Sequence, residues 1–373
     1  MTKAFDFVNH AILLNKLYRQ GIRGVAYKWV ESFLSNRQQC VEIIEINKNC
    51  KTVYRSPYML NDVGVPQGSI LGPLFFLNYI NDLPDALDHE SILYVDDTTI
   101  LVEGNNPPVI EAEINNAIAK AMTWLKKNNL KANISKTKLV KFKTRKQSHS
   151  NQKICYENSE IEVVDSVVFL GITVDSLCNW KDHINNICNK LEKYMYVVKN
   201  IKKTVSTSAA LLCYHGYIAS VLRYGLIIWG NSVDQIRVFR LQKKFIRCIS
   251  NVSYIDPCKP LFKQYNILPL PCLYIYEMCL FVNRNVDRFF VKKTEVATKS
   301  SRHNFKLVVP HQRLSICSRN AYCMAVSIYN KLPDLFKKLP ERKLKKELHA
   351  WLLHKMYYTI NEYFNDEMDD VKT

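Results

Sequence analysis

Two adjacent carboxylates, Asp96 and Asp97, lie between two short apolar and β-branched runs, residues 92–95 and 98–102. This pattern predicts a β-hairpin with an acidic tip. Paired carboxylates on a rigid turn are what a divalent-metal nucleotidyl-transfer site needs. The alternative is a solvated turn, because Asp is common in turns for its own local hydrogen bonding. The hairpin alone therefore leaves both interpretations open.

A second motif upstream decides between them. Residues 64–69 read Gly-Val-Pro-Gln-Gly-Ser and lead into an apolar helix through residue 76. These two motifs, in this order, resemble the reverse transcriptases of non-LTR retrotransposons, the jockey-like elements in particular. The resemblance extends over nearly the whole chain. Residues 4–14 are similar to the end of motif A and its following helix, residues 129–138 to motif D, and residues 169–180 to motif E, the primer grip.

The resemblance implies an α+β fold, a right-hand polymerase palm followed by helices. The palm would be a βαββαβ unit, mostly an antiparallel sheet with helices on one face. Residues 1–178 would form the palm with partial fingers, residues 179–290 a helical thumb, and residues 291–373 a C-terminal helical region. Hydrophobic periodicity predicts helices near residues 12–21, 110–125, 184–195, 209–229 and 238–249, and strands near 38–46, 139–142 and 161–174.

The resemblance also implies roles for individual residues. Two carboxylates would hold Mg²⁺, with Mn²⁺ as a substitute, and the metals would activate the primer hydroxyl and stabilise pyrophosphate. A lysine of motif D could approach the triphosphate, and an aromatic ring of motif A would lie near the incoming sugar. The implied site residues are Asp96, Asp97 and Lys136 for catalysis, Phe5, Pro66, Gln67, Gly68 and Tyr94 for nucleotide and template, and Phe169, Leu170 and Gly171 for the primer grip.

Several of these residues have a plainer explanation. Phe5 is an ordinary core residue by composition, and a Pro-Gln-Gly turn is common loop chemistry. Lys136 competes with the solvated surface lysine that needs no special role. Residues 169–171 could equally be the end of a buried strand.

The chain departs from the family at motif A. In the family that motif reads Asp-Leu-Ser-Lys-Ala-Phe-Asp, and its first Asp is the third metal-site carboxylate. Aligning Lys3 to Asp6 places that first Asp immediately before Met1. Asp6 is no replacement, since six residues of strand span about 20 Å. We therefore expect a fragment that begins inside motif A and has little or no polymerase activity as it stands.

Charge points to a polyanionic partner. The 373 residues carry a formal net charge of +18. The charge is uneven, because residues 121–150 contain nine Lys or Arg and no Asp or Glu. We expect an RNA template, a DNA primer and deoxynucleoside triphosphates as partners. The alternative is a Lys-rich surface that serves solubility.

Other sequence features indicate the cellular compartment of the protein. The twelve cysteines include no Cys-x-x-Cys pair, so free thiols in a reducing compartment are favoured over structural zinc. A signal peptide is not evident. The apolar stretch 209–229 contains His215 and Arg223, so we expect a buried helix there and no membrane association. These features favour an intracellular protein of nucleus or cytoplasm, with 141–146 as a candidate nuclear signal.

Three functions compete at this point. The first is an RNA-directed DNA polymerase palm and thumb. The second is a non-catalytic nucleic-acid-binding remnant of such an element. The third is a structural role through the C-terminal helices. A metal-dependent product separates the first from the second, and salt-insensitive partner binding would support the third.

Overall fold

A computed structural model describes residues 1–47, 50–104, 106–142, 154–156, 159–292, 305–311 and 315–367. The chain divides into two compact units, residues 1–141 with 147–164, and residues 142–146 with 165–373. Helices and strands are both present, as the α+β prediction requires. Most of the candidate nuclear signal, residues 143–146, lies outside the described residues.

The first unit is a mixed α and β structure. Single-turn 3₁₀ helices cover Ala4–Phe7, Pro84–Ala86 and Ile134–Lys136. Its α-helices are α1 (His10–Arg19), α2 (Gly24–Leu34), α3 (Leu71–Ile80) and α4 (Pro107–Lys127), and its strands are β1 (Gln38–Gln39), β2 (Glu42–Asn47), β3 (Cys50–Arg55), β4 (Met59–Leu60), β5 (Ser91–Tyr94), β6 (Asp97–Ile100), β7 (Lys138–Val140), β8 (Ile154–Tyr156) and β9 (Ser159–Val164).

The strands of this unit pair locally. Antiparallel pairs join β1 with β4, β2 with β3 and β5 with β6, while β9 lies between parallel β7 and antiparallel β8. The predicted single βαββαβ sheet is therefore not seen among the described residues. The reason lies at motif A, where Ala4–Phe7 is a 3₁₀ turn. A turn there supplies no strand that could join the β5–β6 hairpin to a larger sheet.

One apolar core holds the first unit together. Helix α1 begins where the Asn9 side chain accepts a hydrogen bond from the Ile12 N–H, at 3.0 Å. Its Leu13 and Leu17, four residues apart, are fully buried and share that core with Phe76 of α3. The end of α4 packs into the same core, so the helices before and after the acidic hairpin are fixed relative to each other.

The second unit begins with a hairpin and is otherwise helical. Its strands are β10 (Ser166–Phe169) and β11 (Ile172–Asp175), and its helices are α5 (Lys181–Thr204), α6 (Thr207–Cys213), α7 (Ser220–Arg223), α8 (Leu226–Trp229), α9 (Gln235–Ser250), α10 (Lys259–Gln264), α11 (Leu270–Phe289), α12 (Ser315–Ser318), α13 (Ala321–Lys331), α14 (Asp334–Lys337), α15 (Glu341–Lys355) and α16 (Ile360–Asn365). A π-helical turn, Tyr214–Ala219, joins α6 to α7.

The core of the second unit extends from α5 to α16 and includes the fully buried Trp229 and Phe245. Residues predicted as a thumb and residues predicted as a separate C-terminal region thus share one core. The hairpin at residues 166–175 also falls in this unit, whereas the sequence predicts it as part of the palm. The three predicted domain boundaries themselves stay predictions.

The single helix predicted for residues 209–229 is wrong in detail. The chain leaves the helix at Tyr224, whose ψ is +116°, and Gly225 then takes a left-handed φ of +61°. Only glycine adopts that conformation without steric cost. Among the described residues, none of the helices has both the length and the apolar composition that a membrane span requires.

Candidate active site

The acidic hairpin is confirmed as a hairpin. In the β5–β6 pair Tyr94 lies opposite Asp97, so Val95 and Asp96 are the two loop residues. Val95 has a φ of +53°, a conformation that β-branched residues rarely adopt. Its side chain packs with Leu93 against the core of the first unit, which compensates for the strained turn. Asp96 is half-buried, whereas Asp97 and Tyr94 are exposed.

The first two residues of the chain lie beside this hairpin. The amino nitrogen of Met1 donates to the backbone oxygen of Asp96 at 3.2 Å. The N–H of Thr2 donates to the backbone oxygen of Lys131, in the segment similar to motif D, at 3.0 Å. Residues 1–2 therefore connect the acidic hairpin to motif D.

Motif A and motif B meet through their backbones. The N–H of Val65 donates to the oxygen of Phe5 at 2.9 Å, and the N–H of Gly64 donates to the oxygen of Val8 at 2.7 Å. Gly64 has a φ of +86°, and a Cβ there would lie 2.9 Å from the backbone oxygen of Asp6. Glycine is thus required at this crossing for both conformation and space.

Side-chain contacts also join motif A to motif B. The Gln67 amide donates to a carboxylate oxygen of Asp6 at 2.9 Å. The ring of Phe5 stacks on Phe76, with centroids 4.7 Å apart and an interplanar angle of 27°. Sequence reasoning treated Asp6 as a motif marker and missed its contact with Gln67, because the two residues are far apart along the chain.

The motif B loop has a fixed base and an exposed tip. The Ser69 hydroxyl donates to the oxygen of Pro66 at 2.8 Å and accepts from the Gly72 N–H at 2.9 Å. These bonds tie the loop to the start of α3. Gln67 and Gly68 at the tip are exposed. A loop of this kind can present its polar groups to a ligand without moving its base.

Lys136 lies on a separate turn of the first unit. Its backbone N–H donates to the Asn133 side chain at 3.2 Å, which closes the 3₁₀ turn Ile134–Lys136. The side chain is exposed. The structure therefore gives Lys136 a defined backbone and a solvated amine, which both the catalytic and the plain surface interpretation permit.

The predicted primer grip is a tight turn in the second unit. Phe169 pairs with Ile172, so Leu170 and Gly171 form a two-residue loop, and their φ values are +46° and +78°. Positive φ at both positions is the type I′ pattern, which Leu rarely supports. The Tyr224 hydroxyl donates to the oxygen of Leu170 and so holds the turn.

His183, which sequence reasoning missed, and Asp175, which lies in the segment similar to motif E, also support this hairpin. Nδ1 of buried His183 accepts from the Thr173 N–H at 3.2 Å, and the Asp175 carboxylate accepts from the Trp180 N–H at 2.8 Å. Burial lowers the pKa of His183 below its ordinary value of 6.5, which keeps the accepting nitrogen free of a proton. Sequence patterns did not indicate the His183 contact, because it joins a strand to a helix ten residues further along the chain.

The donor set suits a hard cation. Asp96 and Asp97 offer carboxylate oxygens, and Mg²⁺ binds through one or two carboxylates while keeping water or phosphate as its other ligands. Within the described ranges there is no cluster of three or more His, Cys, Asp or Glu side chains able to hold a metal ion. Among the described residues, Asp96 and Asp97 could therefore supply at most two ligands to such a cation.

The first part of the chain matches a known protein family. The family model "Reverse transcriptase (RNA-dependent DNA polymerase)" matches residues 1–174. Residues 1–174 are thus similar to the reverse transcriptases that this family model describes. The match covers the junction of motifs A and B, the acidic hairpin and the loop of motif E, which confirms the resemblance inferred from those motifs.

Proteins similar to this chain come from mobile elements of Drosophila melanogaster. The chain is 26% identical over 282 residues to "Probable RNA-directed DNA polymerase from transposon BS", covering 72% of this chain and 30% of the relative. It is 27% identical over 268 residues to "RNA-directed DNA polymerase from mobile element jockey", covering 68% and 28%. A third relative, from transposon X-element, is 24% identical over 262 residues. The chain thus spans under a third of the length of these relatives.

Two glycines of the first unit allow a matched stability test. Gly64 and Gly68 have φ values of +86° and +84°, but a Cβ at Gly68 meets no atom within 4 Å. Gly64→Ala should therefore lose about 1–3 kcal/mol more stability than Gly68→Ala, because overpacking adds to the shared backbone cost. Urea unfolding followed by circular dichroism measures both. Equal losses would show that the Gly64–Asp6 crossing is looser than described.

The His183 contact predicts a pH-dependent stability. With a folded pKa below 6.5, His183 stays neutral in the native state while the unfolded chain takes up a proton. Stability is then complete above about pH 6.5 and falls as the pH drops through that value, by up to about 1.4 kcal/mol per pH unit. Urea midpoints at pH 7.5 and 5.5 should differ more for the wild type than for His183→Gln. An identical pH response in both would contradict the assigned role.

Proposed function

We propose that this chain carries the palm chemistry of RNA-directed DNA synthesis, extending a DNA primer on an RNA template. The observation that carries the proposal is the acidic β5–β6 hairpin, which presents Asp96 and Asp97 on a strained turn anchored in the core of the first unit. The family match over residues 1–174 supports it. The names of the relatives, RNA-directed DNA polymerases of mobile elements, agree with it.

Asp96 and Asp97 would hold the catalytic Mg²⁺. When bound, the metal ions would lower the pKa of the primer hydroxyl and stabilise the leaving pyrophosphate. The amino nitrogen of Met1 lies 3.2 Å from the Asp96 backbone oxygen, so a carboxylate joined directly before Met1 would start beside the hairpin.

The other residues would position substrates. Phe5, stacked on Phe76, is a rigid surface against which the sugar of an incoming nucleotide could rest. Gln67 is oriented by Asp6 and lies on an exposed loop, which suits contact with template or nucleotide. The exposed amine of Lys136 could pair with the triphosphate and give a proton to pyrophosphate. A primer would meet the Phe169–Gly171 turn, whose shape the Tyr224 hydroxyl maintains.

Nucleic acid would be held mainly through its phosphates. The net charge of +18 favours salt-sensitive binding with little base selectivity. An RNA–DNA hybrid would be recognised by shape and backbone for the same reason.

A second function is favoured by one observation. Among the described residues, no group of three or more His, Cys, Asp or Glu side chains could hold a metal ion, so Asp96 and Asp97 have no third protein ligand there. A chain in that state would bind nucleic acid without catalysing its extension, as a remnant of an active element. The two functions differ in one outcome, a metal-dependent product.

Adding a single residue before Met1 distinguishes the catalytic function from the remnant function. We compare primer extension on an RNA template by this chain, by a version with one Asp joined directly before Met1, and by a version with Asn at the same place. The proposal predicts Mg²⁺-dependent product from the Asp version and at most a trace from the other two. Asp96→Asn or Asp97→Asn in the Asp version should lower the rate by about 10² or more, the typical loss on removing a preorganised charge.

Controls keep the result interpretable. Asp85→Asn, at an exposed carboxylate away from the hairpin, should leave extension unchanged. RNA binding, followed by filter retention at several salt concentrations, should persist in every variant. Binding in all versions with product from none would establish the remnant function and contradict the catalytic one.

A further inference from the structure

The C-terminal part of the second unit contains a groove that the polymerase function leaves unused. It lies between α14 and α15 and has a volume of about 1040 Å³. Leu335, Leu339, Ala350 and Trp351 form its apolar floor, and Leu335 is 44% exposed. Leu335 and Ala350 are both exposed, so part of the apolar lining of the groove is in contact with water.

The rim of the groove is basic. Arg342, Lys343 and Lys346 are exposed and line it, with Glu347 as the single acidic lining residue. Within the described part of the chain, no ion pair neutralises these three cations. By contrast, Lys345 on another face of α15 pairs with Glu341 at 2.8 Å. The positive charge available to a ligand is therefore concentrated on the groove side of the helix.

The floor is suited to aliphatic contacts more than to base stacking. The Trp351 ring is already packed against Phe336 and Tyr357, with centroid distances of 5.4 and 6.2 Å. Single-stranded nucleic acid needs free aromatic faces on which its bases stack. Phosphate binding alone, on the other hand, requires no apolar floor. The combination of floor and rim favours a ligand with one apolar and one acidic side.

We propose that this groove binds an acidic amphipathic helix of a partner protein. The apolar side of such a helix would cover Leu335, Leu339 and Ala350, and its carboxylates would meet the cations of the rim. Arg342 and Lys346 are four residues apart, about 6 Å along α15, which matches acidic residues spaced by one helical turn. The face from Arg342 to Ala350 extends about 12 Å, enough for about two turns of a bound helix.

Peptide selection tests the proposal without any use of polymerase activity. A display library of random 14-residue peptides is selected on the whole purified chain at physiological salt. We expect the enriched peptides to carry apolar residues at spacings of three and four, with Asp or Glu between them. Leu335→Glu and Lys346→Glu should each weaken their binding by 10-fold or more.

Matched variants isolate the groove. Leu212 of α6, which is 73% exposed, and Lys190 of α5, also exposed, do not line the groove, so Leu212→Glu and Lys190→Glu should leave peptide affinity unchanged. Circular dichroism verifies that every variant is folded. Enriched peptides that lack acidic residues, or that ignore Leu335→Glu, would overturn the proposal. So would an RNA oligonucleotide that displaces the peptides and loses affinity in the same two variants, since it would assign the groove to nucleic acid.

Discussion

The backbone crossing between Gly64 and Asp6 is the contact on which the candidate site of the first unit depends. A Cβ at Gly64 would come within 2.9 Å of the Asp6 backbone oxygen, so the backbones of the two motifs leave no space for a side chain at this position. This approach brings the Val65 N–H to the Phe5 oxygen and lets the Gln67 amide reach the Asp6 carboxylate. Phe5 is thereby pressed against Phe76 of the helix that motif B begins.

Strained two-residue turns occur at both predicted functional hairpins. Val95 in the acidic hairpin and Leu170 in the motif E hairpin have positive φ, although neither residue type favours it. Each turn is held by contacts outside itself, the first by core packing of Val95 and the second by the Tyr224 hydroxyl. Strain of this kind persists where surrounding structure over-determines the conformation, and it is often associated with function. Both turns could thus present their polar or apolar tips in one fixed geometry.

Local patterns in the sequence predicted local structure well. Alternation around Asp96 predicted the hairpin, and spacing from Ile110 to Leu125 predicted the helix α4. Such patterns could not predict contacts between segments that are distant along the chain. The bond from Thr2 to Lys131, the Asp6–Gln67 pair and the placement of residues 166–175 with the helical unit depend on tertiary packing. The break at Gly225 was missed because the apolar run on either side of it reads as one continuous helix.

The central claim, that Asp96 and Asp97 bind the catalytic metal, is tested most directly by iron-mediated cleavage. Fe²⁺ is added to the chain with primer, RNA template and nucleotide, and ascorbate then generates radicals that cut the backbone beside the bound ion. The account predicts cuts within residues 94–98 that excess Mg²⁺ suppresses and that Asp96→Asn abolishes. Cuts elsewhere, with residues 94–98 intact, would contradict it.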